Sequence, residues 1–249
     1  MTDEKKRRPF LLRAAFSVFW TLCVLAALAG GGWWLAGLPD SPLPDHWNPR
    51  KALVVIAPVT PITRIQLMRA LSDEATCRAA LDQAGVAFSR LDDLVVNENC
   101  GIAGRGRLTG LTSATIAPVE TRCATALRLA MWEHHEVQPA ARELLGVRVS
   151  ELLQIGSYNC RRMRTGRAGE EAWSSHATAD GIDITGVRLS DGRRLTLLAD
   201  WQGDGSEAAF LHRIWRGSCD GFRLVLGPDY NRLHADHFHM QNTGWGFCR

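Results

Sequence analysis

The tightest constraint on how this chain folds is an apolar run from Ala14 to Leu38, preceded by Lys5-Lys6-Arg7-Arg8. The run is about the ~20 residues that a helix needs to cross the hydrocarbon core of a bilayer. Positive charge before it and none directly after predict a cytoplasmic N-terminus, with everything C-terminal on the outside. Trp33 and Trp34 fall where an interfacial aromatic belt is expected. Ala27-Leu28-Ala29 also satisfies the small-residue rule for signal cleavage, so anchor and cleaved signal both stand. The apolar run continues through Trp33, Trp34 and Leu35, which favours the uncleaved anchor.

Export bears on the cysteines. Cys23 lies within the run; Cys77, Cys100, Cys123, Cys160, Cys219 and Cys248 are spread widely, with no C-x-x-C pair. An even set of this kind predicts disulfides in an oxidising compartment rather than a zinc ribbon. The sequence does not choose among the possible pairings.

A chain of 249 residues suits one good-sized domain with extensions, and 46% hydrophobic residues suffice for a core. The net charge of +3 comes largely from the first thirteen residues, and no basic stripe follows. Nucleic acid is therefore excluded as a partner. The chain divides into a basic tail (1–13), the apolar segment (14–38), a linker (39–59) and a folded unit (60–249). Four prolines between Pro39 and Pro49 make the linker short and stiff.

Within the folded unit and its approach, Leu53 to Ile56 reads as a possible strand. Thr60-Pro61 reads as an N-cap followed by proline at the first helical position. Ile62 to Ala84 predicts one or two helices stopped at Gly85. Asn97 to Gly110, rich in Gly and Arg, reads as loop. Glu120 to Val137 predicts a helix, and Pro139 begins another that ends at Gly146. His134 and His135 diverge by ~100° on such a helix, so they read as a solvated end rather than a metal pair. Val149 to Gly156 and Gly181 to Ile184 read as strands, with a polar Gly-rich loop between them. A hairpin turn at Asp191-Gly192 leads into Arg194 to Leu198 as the return strand. Gly205 to Trp215 reads as helix and Phe222 to Leu226 as strand.

Chemistry gathers at His234-Ala235-Asp236-His237-Phe238-His239. Strand alternation puts His237 and His239 on one side, and two imidazoles on a rigid face suit zinc. His176 and Asp183, with six residues between them, join His239 as two histidines and one carboxylate. Such a set leaves a zinc ion one open position for water, as catalysis requires. A base must stand beside that water. His237 meets this requirement; Asp236 is the rival, or else the group that orients a neighbouring imidazole. Arg161 and Arg162 offer fixed positive charge for a substrate carboxylate or a developing oxyanion, or else form ordinary surface ion pairs.

Tyr158 to Arg161, Ser174-x-His176, the gap to Asp183 and His237-x-His239 resemble the superfamily of D-Ala-D-Ala metallopeptidases and lysostaphin-type endopeptidases. More narrowly, Gly156-Ser157-Tyr158-Asn159-Cys160-Arg161, Leu226-Gly227-Pro228 and the histidine stretch resemble the bacterial extensin-like C-terminal domain, from about Thr60 to Arg249. The resemblance implies an α+β fold with a small central antiparallel sheet and helices packed on it, to which the disulfide staples and the preceding membrane helix read above are added. It also implies one zinc ion per chain on His176, Asp183 and His239, with His237 and Arg161 catalytic beside Asp236. Tyr158, Arg162 and Ser174 would then contact substrate. Peptidoglycan peptides are the implied substrate class, and a carboxypeptidase or endopeptidase the implied enzyme. The place would be the bacterial inner membrane, with the folded unit in the periplasm, or free there if the segment is cleaved. The usual pattern after the serine is Glu-His-x-x-Gly-x-Ala-x-Asp, where this chain has Ser175, His176, Ala179, Gly181 and Asp183. Both ligands are kept and their neighbours changed. Two other expectations stand beside the peptidase: a non-catalytic wall-binding or scaffold protein, and a stapled interaction domain without metal.

Overall fold

The computed structural model describes residues 4–163 and 172–249. The first three residues of the basic tail and most of the expected Gly-rich loop before Ser174 lie outside the described residues. Helix α1 spans Glu4–Ala36. Its stretch Arg13–Ala36 is long and apolar enough to cross a membrane, a property that a signal sequence shares.

The proline-rich segment after α1 folds back rather than standing free. Asn48 is fully buried; its Nδ2 donates to the Ala36 carbonyl at 3.0 Å. Helix α2 (Thr63–Ser72) then adds a second donor to carbonyls that already close turns within the segment, Asp45 O with the Asn48 amide and Asn48 O with the Lys51 amide. Gln66 Nε2 donates to Asp45 O at 2.8 Å and to Asn48 O at 3.0 Å. Leu53 to Ile56 forms no strand: Leu53 and Val55 enter the core while the chain turns between them and α2. The helix also begins later than Thr60-Pro61, at Thr63. Thr60 Oγ1 donates to His46 O and accepts from the Ile62 amide, which fixes a turn ahead of the helix.

Asp73 separates α2 from α3 (Glu74–Gln83), its side chain accepting from the Thr76 amide. Gly85 follows at φ +70°. The expected loop of Asn97 to Gly110 is mostly strand: β2 (Leu94–Asn97) and β3 (Cys100–Ile102) form a hairpin, and β4 (Arg105–Gly110) enters the main sheet. Gly106 faces the Phe88 ring of β1 (Phe88–Arg90), where a Cβ would collide at 2.3 Å. The glycine is there for close packing, which composition alone reads as looseness.

Strand β5 covers Thr115–Arg122, so the helix expected from Glu120 starts at Cys123. Glu120 stays in the sheet, bridging Arg105 and Arg107 across the ladder. Helix α4 (Cys123–Trp132) passes through a π turn, Glu133–Val137, into α5 (Gln138–Leu145). Gly146, in the left-handed region, stops it. His134 and His135 sit on the π turn half-buried rather than solvated. His135 Nε2 donates to Val55 O at 2.7 Å and His134 meets Thr112.

The rest of the sheet comes from β6 (Val149–Gly156), β7 (Gly181–Leu189), β8 (Arg194–Thr196), β9 (Leu224–Leu226), β10 (Phe238–Gln241) and β11 (Phe247–Cys248). The nine-stranded order is β1-β4-β5-β6-β7-β10-β9-β11, with β8 against β7. The ladders are antiparallel except β5 with β6 and β9 with β11. The fold is α+β as expected, though the sheet is broad and these two pairs are parallel. The first arises because α4 and α5 carry the chain from β5 to β6, a crossover that a parallel pair requires. Helices α6 (Leu197–Asp200) and α7 (Ser206–Gly221) complete the core with α4 and α5, where Leu127, Phe210 and Ile214 join Ile182, Ile184, Phe238 and Met240. Three disulfides staple it: Cys77–Cys123, Cys100–Cys160 and Cys219–Cys248. Cys23 is the one free cysteine among the described residues.

Candidate metal centre

Alternation along two central strands builds the site. Ile182, Ile184, Phe238 and Met240 point into the core, so Asp183 and His239 point to the opposite face. These two are direct register partners across β7 and β10. His176 arrives from a short 3₁₀ turn, Ser175–Thr178, which Ser174 begins by accepting the His176 amide. His239 Nδ1 lies 2.9 Å from Asp183 Oδ1, and His176 Nε2 lies 3.2 Å from Asp183 Oδ2 and 3.1 Å from His239 Nδ1. Tetrahedral ligands around zinc stand roughly 3.3 Å apart, given metal–ligand distances near 2.0–2.1 Å. The three atoms therefore fit one small cation.

Outer partners fix which ring nitrogen faces inward. His176 Nδ1 donates to Ser157 O at 2.9 Å, leaving Nε2 to the centre. His239 Nε2 is held by Gln241 Oε1 at 3.0 Å, with Ser175 Oγ at 3.3 Å, leaving Nδ1 to the centre. Such partners are what orients histidines in metal sites. Gly181 opposes Gln241 beside them; a Cβ there would stand 2.9 Å from Ser175 Oγ.

The electrostatics favour positive charge. Burial works to raise the Asp183 pKa but is outweighed by the bonds from His176 and His239, which hold it well below the usual carboxylate range. Burial works against charge on His239, yet Asp183 reverses this and the imidazole is raised above its ordinary value. A trio that holds its carboxylate ionised while drawing in a proton concentrates negative potential where the three ligand atoms meet.

His237 stands just before β10. Its Nδ1 donates to Asp236 Oδ1 at 2.8 Å, and its Nε2 lies 3.8 Å from Asp183 Oδ1. Asp236 is more than half exposed and reaches the site through that bond. Arg161, Ser174, His176, Asp183, His237 and His239 all line one cavity of about 650 Å³. Tyr158 and Arg162, expected at the substrate, are not in its wall. The Tyr158 hydroxyl is buried with no hydrogen-bond partner among the described residues, and Arg162 stacks over Trp173 at 4.1 Å.

Several lining residues had no role assigned to them from the sequence. His234 joins the wall, bonded to Asn231 Oδ1 at 2.8 Å with its ring against those of His237 and His239. Burial first, then the neighbouring His237 and His239, lower its pKa to about 4. Ser175 was noted only as a departure from the usual pattern and Gln241 was unmarked, although strand alternation from His239 already reaches Gln241.

The family model described as Extensin-like protein C-terminus matches residues 75–249. No curated protein and no solved structure matches the chain.

Proposed function

This chain belongs to the family of extensin-like protein C-termini, and from that premise and the geometry of its cleft we propose that it is a zinc-dependent hydrolase of cell-wall peptides. Helix α1 would hold it in the membrane as an anchor. The observation that carries the proposal is the meeting of His176 Nε2, His239 Nδ1 and an ionised Asp183 at ligand spacing in the wall of a cavity.

Two histidines and a carboxylate would hold the ion. Zinc so bound supplies a Lewis acid and brings the acidity of water toward pH ~7. The chain's own groups supply the rest. His237, steadied by Asp236 through Nδ1, presents Nε2 beside the ligands, where it can take and return a proton. Arg161 places a guanidinium on the same cavity, suited to a peptide carboxylate or to negative charge developing on a carbonyl oxygen. The peptide and cell-wall part rests on the likeness of Ser174-x-His176, Asp183 and His237-x-His239 to D,D-metallopeptidases, together with the membrane-compatible α1.

The test uses the full chain in lipid nanodiscs. Zinc is expected at about one per chain, and lost in a His176→Ala/His239→Ala variant. Purified muropeptides should then be cleaved, with His237→Ala keeping zinc and losing about 10²–10⁴-fold in turnover. Failure to hold zinc after reconstitution would sink the proposal. Zinc without cleavage of muropeptides would favour a wall-binding protein that keeps the site.

A further inference from the structure

The row of side chains that carries the ligands continues sideways across the sheet and changes character. His239 of β10 has Leu226 of β9 as its register partner on the side away from Asp183. One repeat along, Gln241, Leu224 and Phe247 stand in register on β10, β9 and β11. Val225 between the two leucines is fully buried in the core, so Leu224 and Leu226 face the cleft. Register partners place their Cβ atoms about 5 Å apart. The apolar surface thus begins one side chain from a ligand.

Two more residues raise this surface into a wall. Tyr230 packs edge-to-face on Phe247, ring centroids 6.0 Å apart, and Leu233 precedes His234. Tyr230, Leu233 and Phe247 are 44%, 56% and 41% exposed, yet all line the cavity. Their position is built, not accidental. A two-residue strand such as β11 pairs too little to hold itself. Cys219–Cys248 ties it to α7, and the Arg249 amide donates to Val225 O at 3.0 Å. On the β6 side of Asp183 the cavity wall is mixed, with apolar Ile155 and Met163 and the charged Arg161 all lining it. The asymmetry gives the cleft a direction.

We propose that the β9–β11 wall is a specificity subsite for an apolar group larger than methyl, attached within two or three bonds of the atom placed at the metal centre. This deepens the zinc reading and rests on it. The group fills the space between Leu226, Leu233 and Phe247, while the polar side of the substrate lies toward Arg161. An occupying partner protein would instead bury the three exposed residues without regard to the ligands.

The experiment loads the full chain in nanodiscs with cobalt(II), whose visible absorption reports directly on groups that reach the metal. Acetohydroxamic, butanohydroxamic and hexanohydroxamic acids are titrated, with empty nanodiscs as blank. Affinity should rise along the series, up to about fourfold per buried methylene. In Leu233→Ser and in Phe247→Ser the ratio between hexano- and acetohydroxamic acid should fall toward one. Equal affinity along the series in the unaltered protein would overturn the subsite and leave the metal reading standing. No cobalt uptake at all would overturn the metal reading, and the subsite with it.

Discussion

Ala179 sits at φ +51° with no exposed surface, two residues before the strand that carries Asp183. A side chain in the left-handed region costs roughly 1–2 kcal/mol. Ala179 matches the glycine of the Glu-His-x-x-Gly-x-Ala-x-Asp pattern that the sequence resembles. Its carbonyl accepts from Thr125 Oγ1 at 2.9 Å, so the strained turn is held from the adjoining helix. Ala179→Gly should therefore stabilise the protein, by about 0.5–1 kcal/mol in chemical denaturation, where the same change in an ordinary helix would destabilise it. At this scale the sequence was informative where chemistry depends on residue type and spacing. His176, Asp183, His237 and His239 could be picked out because few side chains ligate metals or move protons. Tyr158 and Arg162 were carried along by the motif around them. Their directions depend on how the chain after Gly156 turns, and no local pattern encodes that.

The π turn between α4 and α5 is the element whose chemistry is most internal. Glu133 is fully buried there, bonded by the Thr112 hydroxyl and by Gln138 Nε2 at 2.8 Å; the same Nε2 reaches Val149 O. His135 on this turn has its pKa lowered, chiefly by burial and further by His134, against the bond to Val55 O, which works to raise it. A histidine lowered in the folded state is protonated first in the unfolded chain. Its contribution to stability is full above the unfolded value near pH 6.5 and declines as pH falls toward the lower folded value. Thermal unfolding between pH 7.5 and 5.5 should show this loss, and His135→Gln, which retains a donor for Val55 O, should flatten the curve. Helices α3, α5 and α7 were legible from periodicity and stop signals such as Gly85 and Gly146. Strands β2 to β4 were not. Their glycines and arginines fit a sheet only because Phe88 covers Gly106 and Glu120 pairs Arg105, contacts supplied by distant parts of the chain. Leu53 to Ile56 failed the other way: an apolar run buried singly at a turn looks like a strand until its neighbours are known.

Over the whole molecule, the disulfides tie early segments to late ones, closing separations of 46, 60 and 29 residues. Cys100–Cys160 fastens the β2–β3 hairpin beside Arg161, and Cys219–Cys248 fastens the apolar wall. The expected short, stiff linker forms a clasp, in which Asn48 holds Ala36 and α2 holds residues 45–49. Asn48→Ala removes the Nδ2 bonds to Ala36 and Ser41 and the acceptor for the Arg50 amide. Hydrogen exchange at residues 37–51 should quicken by tenfold or more, while protection in β6, β7 and β10 stays unchanged. The cysteines announced pairing, but proline counts could not tell a clasp from a spacer, because that depends on Gln66 and Arg69 of α2. The clasp has a consequence for encounter. A folded body on a loose string samples a volume; one tied to its mooring samples a layer. Were α1 lodged in a surface, the bonds from Asn48 and Arg50 to its last turn would hold the cleft near one height above it. What it meets is then set less by affinity than by which material passes at that level.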